Sequence, residues 1–263
     1  MDWSPKTEGQ ASPSRITLTG LPGIPIIQPG DDLTAITLAG LERAGITLAD
    51  GDVLVVTSKI VSKAEGRFVR LADVQVTRQA RAVAASINKD PRLVTLILAE
   101  SAEVLRTRPG LIVVQHRLGF ISANAGIDQS NVGEEDVALL LPQDPDASAQ
   151  RLRAGLHAAT GADVAIVIND SHGRAWRKGT VGVAIGVAGL LPLTDKRGDK
   201  DLFGREMRIT VLGTADEIAA AASLMQGGTD ESLPIVHMRG VPYRRGNGRL
   251  ADLLRPKEKD MFR

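Results

Sequence analysis

The chain has 263 residues, 43% of them hydrophobic, a formal net charge of +1 and no cysteine. This composition is sufficient for a packed core, and the balanced charge excludes a global field that favours nucleic acid or an anionic membrane. The lack of cysteine excludes disulfides, thiolate nucleophiles and cysteine-ligated zinc, so any metal needs oxygen or histidine ligands.

The start of the chain is polar. Residues 1–14 are rich in Ser, Pro, Gly and charge, which predicts a flexible leader. There is no apolar run of bilayer length and no apolar signal core, so we expect a cytoplasmic protein without a membrane segment. RITLTG at 15–20 predicts a short strand, and Pro22, Pro25 and Pro29 predict a shaped loop after it.

The first half of the chain alternates helical and extended patterns. Apolar spacing predicts a helix at 33–45, capped by Asp31 or Asp32 and stopped by Gly45. The apolar run at 53–56 predicts a strand covered on both faces. The elements predicted next are a helix at 78–88 and strands at 92–100, 110–116 and 119–123.

The second half continues this alternation. The elements predicted there are a helix at 147–161, a strand at 163–170, a glycine-dotted strand at 180–190 and a helix from 214. The glycines indicate close approach of another backbone, and Thr214 with Glu217 forms a potential capping box. We find no sequence repeat. The pattern predicts a mixed α/β fold, with a catalytic domain at 15–245 and a basic C-terminal tail at 246–263.

The first polar segment that could carry chemistry follows the strand at 53–56. Its functional side chains are Ser58, Ser62, Lys63, Glu65 and Arg67. Hydroxyls and a lysine just beyond a strand end commonly hold phosphates. The alternative is an ordinary solvated turn.

The second segment is FISANAGIDQSNVGEED. Asp128 and Asn131 follow a predicted strand and could offer a carboxylate to a hard cation and an amide to a base or phosphate. The alternative is an Asx-rich turn that leads into a helix at Glu134.

The third segment is INDSHGRAWRKG. Asp170 and Ser171 follow the apolar strand, where they suit Mg²⁺ or Mn²⁺, and Arg174 and Arg177 suit anionic substrate groups. The alternative is a helix cap with surface arginines, although Trp176 is unusual in an exposed loop.

Other familiar signatures are missing. His172 is a candidate base, but its position between Ser171 and Gly173 favours a turn residue, and the four histidines lack zinc-site spacing. Neither a P-loop nor a Rossmann glycine motif occurs. Taken together, the three polar segments predict a site for a nucleotide polyphosphate with a divalent metal.

The same segments resemble the coenzyme F(420)-0:L-glutamate ligase family. The matching strings, in order, are LPGIP, GDVLVVTSKIVSKAEGR, GFISANAGIDQSNV, NDSHGRAWRKGTVGVAIGVAGL and VHMRGVPY, and they extend over almost all of residues 16–243. The chain resembles the free-standing ligase rather than the form fused to a nitroreductase-like domain. The resemblance implies two interleaved lobes with the site in the crevice between them, and an intertwined homodimer.

The resemblance also implies a set of ligands. The residues implied to contact GTP are Leu21, Pro22, Gly23, Ile24, Ser58, Lys63, Asn131, Gly227, Gly228, Thr229, Asp230 and Glu231. The residues implied to hold Mn²⁺ or Mg²⁺ are Asp128, Asp170, Ser171 and Gln226. K⁺ is a further cation that the resemblance suggests.

The late loop departs from the family pattern M-G-Q-x-x-E-G-x-P. Here it reads MQGGTDESLP, so counting back from Pro234 puts Gly228 at the position of the metal-binding Gln, whereas a shift of two puts Gln226 there.

The implied reaction passes the γ-phosphoryl group of GTP to the carboxylate of F(420)-0. The amine of L-glutamate then attacks the acyl phosphate, with further γ-linked glutamates as an extension. Lys63, Arg174 and Arg177 are the predicted catalytic residues, because cations stabilise phosphate and acidic substrates. The alternatives are a related nucleotide-dependent ligase for another small carboxylic acid and a nucleotide-binding module without turnover.

Overall fold

The computed structural model describes residues 15–130 and 136–261. The predicted leader at 1–14, the predicted contact Asn131 and the alternative helix start at Glu134 lie outside these ranges. The strands are β1 (Thr17–Gly20), β2 (Val53–Thr57), β3 (Phe68–Arg70), β4 (Ser101–Arg108), β5 (Leu111–His116), β6 (Ile121–Ala123), β7 (Val137–Leu139), β8 (Ala165–Arg174), β9 (Arg177–Ala188), β10 (Thr194–Asp195), β11 (Val211–Leu212) and β12 (Ile235–Arg239). The helices are α1 (Leu33–Arg43), α2 (Ser58–Ala64), α3 (Arg78–Ile87), α4 (Pro91–Ala99), α5 (Pro145–Thr160) and α6 (Thr214–Gln226).

The larger lobe is a five-stranded mixed sheet of order β1-β12-β2-β8-β9, in which only β2 and β8 are parallel neighbours. On one face Leu54 and Ile166 pack with Leu156 of α5. On the other, Val55 packs with Ala219 of α6. The near-continuous apolar runs of β2 and β8 follow from this double cover, since each fully buried aliphatic side chain contributes about 1.5–3 kcal/mol.

The smaller lobe is the three-stranded sheet β4-β5-β6 packed on α3 and α4. Its core includes Ile87, Val94, Ile112 and Val114. The chain leaves the larger lobe after α2 and returns at α5, so the larger lobe is built from separate chain segments. The predicted mixed α/β class is confirmed. Among the described residues, no helix is long and apolar enough to cross a bilayer.

Most predicted elements are confirmed, including β1, α1 with its Asp32 cap, and the glycine-dotted strand β9. The close backbone approach is also confirmed, because a Cβ added to Gly182 would lie 2.5 Å from the carbonyl oxygen of Ala219. The capping box at Thr214 is wrong. Gly213 is the N-cap of α6, and the Thr214 hydroxyl instead bonds that of Thr194 at 2.6 Å.

The predicted strand at 92–100 is wrong, because residues 91–99 form helix α4. Asp90 caps this helix by accepting from the Arg92 backbone N–H at 2.7 Å, and Pro91 occupies its first turn. A short apolar run fits either a buried strand or a helix, and here the cap and the N1 proline favour helix. Strand β4, which follows it, was not predicted from the sequence.

The segment after residue 245 packs on the larger lobe. Leu250 is buried in the core of that lobe, and its backbone N–H donates to the Asp146 carboxylate on α5. Arg245 forms an ion pair with Asp163 at 2.8 Å. The first part of the basic tail therefore contributes to the fold through Leu250.

Candidate functional site

Several polar segments meet at one edge of the five-stranded sheet. Gly20 at the end of β1 pairs with Val236, and Val56 near the end of β2 pairs with Ile168 of β8. Ile235, at the start of β12, also pairs with Val56. Four parts of the chain therefore lie along the same edge: the segments that follow β1 and β2, the outer part of β8, and the loop before β12.

A cavity of about 230 Å³ opens at this edge. Its lining residues are Ser58, Lys59, Ser62, Ala123, Gly126, Ile127, Asp128, Leu139, Leu140, Leu141, Asp170 and Ser171. The structure thus brings Asp128, Asp170 and Ser171, which come from distant parts of the chain, to one cavity together with Ser58.

Asp170 is held on both carboxylate oxygens. The Ser58 hydroxyl donates to Oδ1 at 3.0 Å, and His172 Nε2 lies 3.1 Å from Oδ2. The strand predicted at 163–170 is present but extends farther, because β8 continues to Arg174 and pairs with β9 along its outer part. Asp170 is therefore fixed by regular backbone pairing as well as by its side-chain partners.

His172 belongs to this arrangement rather than to a turn, so that prediction is wrong. Its side chain is only 10% exposed, and its ring lies 5.1 Å from the Phe120 ring. Phe120 in turn stacks on His116, with a centroid distance of 5.1 Å and an interplanar angle of 3°. This row of rings supports the Asp170 carboxylate from the smaller lobe.

Glu100 lies behind the same row of rings. It contacts His116 and forms ion pairs with Arg117 at 2.9 Å and with Arg67 at 3.1 Å. Burial alone would raise the pKa of the Glu100 carboxyl, but His116, Arg117 and Arg67 together lower this pKa to about 2. The carboxylate is therefore ionised in the folded protein.

Asp128 is held by a cation and by a serine. Lys59 Nζ lies 2.7 Å from Oδ2, and the Ser130 backbone N–H and hydroxyl both donate to Oδ1 at 2.7 Å. Burial raises the pKa of Asp128, but these contacts outweigh burial and lower it. The Asp128 backbone also exchanges two hydrogen bonds with Leu139, which fixes the loop against β7.

Ser58 and Lys63 lie on α2, so the solvated-turn alternative is wrong. Ser58 and Ser62 are buried, because α2 begins directly at the end of β2 and turns into the cavity. Burial and the nearby Lys59 charge lower the pKa of Lys63, and Asp128 opposes this effect. Lys63 lies one turn after Lys59 on α2, on the same face of the helix.

Glu65 and Arg67 end the polar segment that follows β2, and both side chains contact other parts of the fold. Glu65 accepts hydrogen bonds from the Gln143 backbone and the Ser148 hydroxyl. Arg67 Nε donates to the Leu141 carbonyl oxygen at 2.9 Å. Both side chains thus join α2 to the chain entering α5.

Gln226 ends α6 at the same sheet edge. Its amide pairs reciprocally with that of Asn169, at 2.7 and 3.2 Å. Asn169 immediately precedes Asp170, so the pair brings the Gln226 side chain near the cavity. Gly228, the other possible counterpart of the family glutamine, has no side chain to offer.

The loop at 227–231 is exposed and is ordered by its own acidic residue. The Thr229 backbone N–H donates to Glu231 at 2.8 Å, and such backbone contacts lower the pKa of Glu231. Gly227 has a φ of +68° and a ψ of −163°. This backbone conformation is essentially restricted to glycine.

Residues 21–24 lie beside the start of β12. The backbone N–H of the buried Leu21 donates to the Ile235 carbonyl oxygen at 2.8 Å. Arg43 of α1 donates to the carbonyls of Pro22 at 3.0 Å and Gly23 at 2.9 Å. These bonds hold the segment in place at the edge where the other polar segments meet.

Arg174 and Arg177 lie farther out, facing each other across the tip of the β8–β9 hairpin. Both are exposed, and they flank the two-residue turn that contains Trp176. Asp170 and Arg174 are four residues apart on one strand, a separation of about 13 Å. The arginines are thus attached to the Asp170 strand but are remote from the cavity.

The acidic cavity suits a hard divalent cation. Across residues 15–130 and 136–261, no three His, Asp or Glu side chains cluster tightly enough to hold a metal by themselves. Asp128, Asp170 and the Ser171 hydroxyl nevertheless offer oxygen ligands at one cavity. Magnesium-like ions commonly bind one or two carboxylates and take their remaining ligands from water and substrate phosphates. The donor set therefore fits Mg²⁺ or Mn²⁺ in the presence of a nucleotide.

Comparison with known proteins identifies the family of the chain. The family model described as F420-0:Gamma-glutamyl ligase matches residues 23–240. The chain belongs to this family. Among curated members, the Coenzyme F420:L-glutamate ligase of Methanothermobacter thermautotrophicus is 45% identical over 250 residues, covering 94% of this chain and 99% of the relative. The ligase of the same name from Archaeoglobus fulgidus is 43% identical over 249 residues, covering 95% and 97%.

A third member of the F420-0:gamma-glutamyl ligase family, from Methanocaldococcus jannaschii, is 39% identical over 240 residues, covering 91% of this chain and 94% of the relative. The predicted family is confirmed, and the chain is a ligase. The structure adds Lys59, Asn169 and His172 to the predicted site of this family member. Lys59 and Asn169 were not predicted because their partners Asp128 and Gln226 lie in other segments. His172 was assigned to a turn because the sequence does not show that β8 continues past Asp170.

Proposed function

We propose that this ligase joins the carboxylate of F(420)-0 to the amine of L-glutamate, with GTP as the phosphoryl donor and with further γ-linked glutamates as an extension. We place the reaction in the cytoplasm, where GTP and glutamate are available. The observation that carries the proposal is the convergence of Asp128, Asp170 and Ser171 on one cavity. The 45% identity to a Coenzyme F420:L-glutamate ligase supports the choice of acceptor.

In this proposal GTP lies along the sheet edge. The nucleotide contacts residues 21–24, Asn131 and residues 227–231, and its phosphates are bound by Ser58 and Lys63. Mn²⁺ or Mg²⁺ would be held by Asp128, Asp170 and Ser171, with Gln226 as a further ligand. K⁺ would be an additional cation. When bound, a divalent cation offsets the negative charge of the β- and γ-phosphates.

The chemistry needs activation because a carboxylate is a poor acyl donor. A carboxylate oxygen of F(420)-0 attacks the γ-phosphorus of GTP, the bond to the β-phosphate oxygen breaks, and GDP leaves. The glutamate amine, in its neutral form, then attacks the acyl carbon. The new C–N bond replaces the C–O bond to phosphate, and the amine loses its proton. Inorganic phosphate is the second product.

The side chains act by binding and orientation, which supplies most of the catalysis in phosphoryl transfer. Lys63, one turn after Lys59 on α2, neutralises phosphate charge. Ser58 and His172 keep the Asp170 carboxylate in one orientation. Arg174 and Arg177 attract the acidic substrates. No side-chain nucleophile is required.

The deciding experiment is mass spectrometry of F(420)-0 incubated with the enzyme, GTP, Mn²⁺ and L-glutamate. We expect a product heavier by one or more glutamyl residues, with one GDP formed for each amide bond. Product formation with another carboxylic acid but not with F(420)-0 would support a related ligase instead. Tight GTP binding without GDP release would support a nucleotide-binding module without turnover.

We also propose that the enzyme is a homodimer. The segment at 194–212 contains β10 and β11 and carries three exposed apolar side chains. The exposed fractions of Leu202, Phe203 and Ile209 are 93%, 67% and 88%. Large apolar side chains grouped in this way often mark an interface. Analytical ultracentrifugation should give twice the chain mass, and Leu202→Glu should shift the protein toward monomer. A wild-type monomer at micromolar concentration would contradict the proposal.

A further inference from the structure

The tip of the β8–β9 hairpin presents an aromatic side chain in an unusual position. Trp176 is 89% exposed and has a φ of +64°, in a two-residue turn with Ala175. A positive φ at the second central position of a turn normally selects glycine or asparagine, and a bulky residue there is an outlier. Neither core packing nor turn geometry explains the choice of tryptophan.

The charges around this turn are also unexplained by the fold. Arg174 pairs directly across the hairpin with Arg177, and Lys178 follows. Like charges at opposed positions destabilise a strand pair. Within the part of the chain that the structure describes, no ion pair neutralises any of these three side chains. An anionic ligand would relieve the repulsion between them.

The position of the tip relative to the cavity defines the shape of such a ligand. Asp170 and Arg174 lie about 13 Å apart along one strand. The tip is therefore placed to contact a different part of a ligand from the part that reacts at the cavity. A ligand that joins the two places must be elongated, with a carboxylate at one end and a planar, electron-rich group at the other.

We infer that Trp176, Arg174 and Arg177 form a subsite for the ring end of the carboxylate acceptor. This inference rests on the proposed function, in which the acceptor joins a planar deazaflavin to a phospholactyl carboxylate. The ring stacks on the exposed indole, and the guanidinium groups pair with the anionic groups of the acceptor. The acceptor carboxylate then lies at the cavity, close to Asp170.

The test compares Trp176→Ala and Trp176→Phe with the wild-type enzyme in steady-state kinetics. Trp176→Ala removes the stacking interaction, and this loss should raise the KM for F(420)-0 about tenfold or more. The KM for GTP and kcat should stay within about twofold of wild type, since the indole lies outside the cavity. Trp176→Phe should retain part of the affinity, because phenylalanine still offers a ring.

Ile16→Ala is the control, since Ile16 is an exposed apolar side chain just before β1, at the opposite end of that strand from the cavity edge. It should leave the KM for F(420)-0 unchanged. Calorimetric titration of F(420)-0 without GTP or glutamate gives a second readout, and Trp176→Ala should weaken this binding by the same factor.

The outcomes separate the subsite from the proposed function. A wild-type enzyme that forms product, with Trp176→Ala keeping the wild-type KM and binding constant, would overturn the subsite alone. A KM for GTP that rises in parallel with that for F(420)-0 would also overturn it, because the tip would then act on the whole site. A wild-type enzyme that neither binds nor converts F(420)-0 would overturn both inferences.

Discussion

The two halves of the β8–β9 hairpin share a pairing pattern but differ in packing. In the inner half, a Cβ added to Gly182 would lie 2.5 Å from the Ala219 carbonyl oxygen on α6. In the outer half, Gly173 and Gly179 have nothing within 4 Å of an added Cβ. Asp170 pairs with Val183, next to Gly182, so it lies near the outer end of the covered region, just before the sheet becomes an exposed ribbon. The fold thus supplies a fixed carboxylate next to open space for a ligand.

The strongest test of this boundary is Asp170→Ala. Loss of the carboxylate should lower GDP formation by about a hundredfold to a thousandfold, the usual effect of removing one preorganised electrostatic group. Quenched-flow or coupled assays of GDP release measure it, and thermal unfolding should show that the variant remains folded. Asp73→Ala, at an exposed position in the turn after β3, is the control. Near-normal turnover of Asp170→Ala would place the reacting phosphate elsewhere.

Gly182→Ala should disrupt the packing of the inner half against α6. The added methyl group would overlap the backbone of α6, so we expect a loss of about 1–3 kcal/mol in the free energy of unfolding. Gly173→Ala makes the same change in the outer half and should cost less than about 1 kcal/mol, because nothing surrounds it. Denaturant unfolding of both variants measures the contrast. Equal costs would mean that the two halves do not differ in packing.

The pH dependence of stability should depend on Glu100. Its folded pKa of about 2 lies below the ordinary 4.5, so its contribution is present above pH 4.5 and is lost as the pH falls toward 2. Glu100→Gln should lower the free energy of unfolding at neutral pH by roughly 2 kcal/mol and flatten its pH dependence below 4.5.

The control for Glu100 is Glu103→Gln on β4, the strand that begins directly after Glu100. Glu103 forms an exposed ion pair with Lys257 at 2.6 Å. Exposed pairs contribute about 0–1 kcal/mol, so this variant should leave the acid limb of the stability curve unchanged. An identical flattening in both variants would rule out a special role for Glu100.

The smallest expected effect is that of His172→Leu at the boundary itself. Loss of a side chain that orients a metal-binding carboxylate typically weakens metal affinity tenfold or more, so we expect about tenfold weaker Mn²⁺ binding in the presence of GTP. His172→Gln should recover part of the affinity, because its amide can still donate to Asp170. Electron paramagnetic resonance of free Mn²⁺ measures both. Unchanged affinity in His172→Leu would limit His172 to a packing role.

The strand and helix predictions succeeded where the pattern was local and strong. The apolar runs of β2 and β8 indicated buried strands, and Asp32 indicated the start of α1. Residues 92–100 failed because an apolar run fits two structures, and the Asp90–Pro91 cap was not weighed against it. The strand through Asp170 was ended too early because polar, exposed residues do not reveal that a second strand pairs with them.

The sequence by itself determined that Asp128, Asp170, Ser58 and Lys63 were the residues to consider. Polar side chains directly after buried apolar segments are visible in a few neighbouring letters. Only the tertiary structure decided that Asp128 and Asp170 line one cavity, and that Lys59 and His172 hold them. The Lys59–Asp128 contact and the shared cavity join residues that are distant in sequence, and the His172–Asp170 contact depends on β8 continuing beyond Asp170. The geometry of these contacts is therefore set by the pairing and packing of whole sheets and helices. Local propensity, which extends over a few residues, carries no information about it.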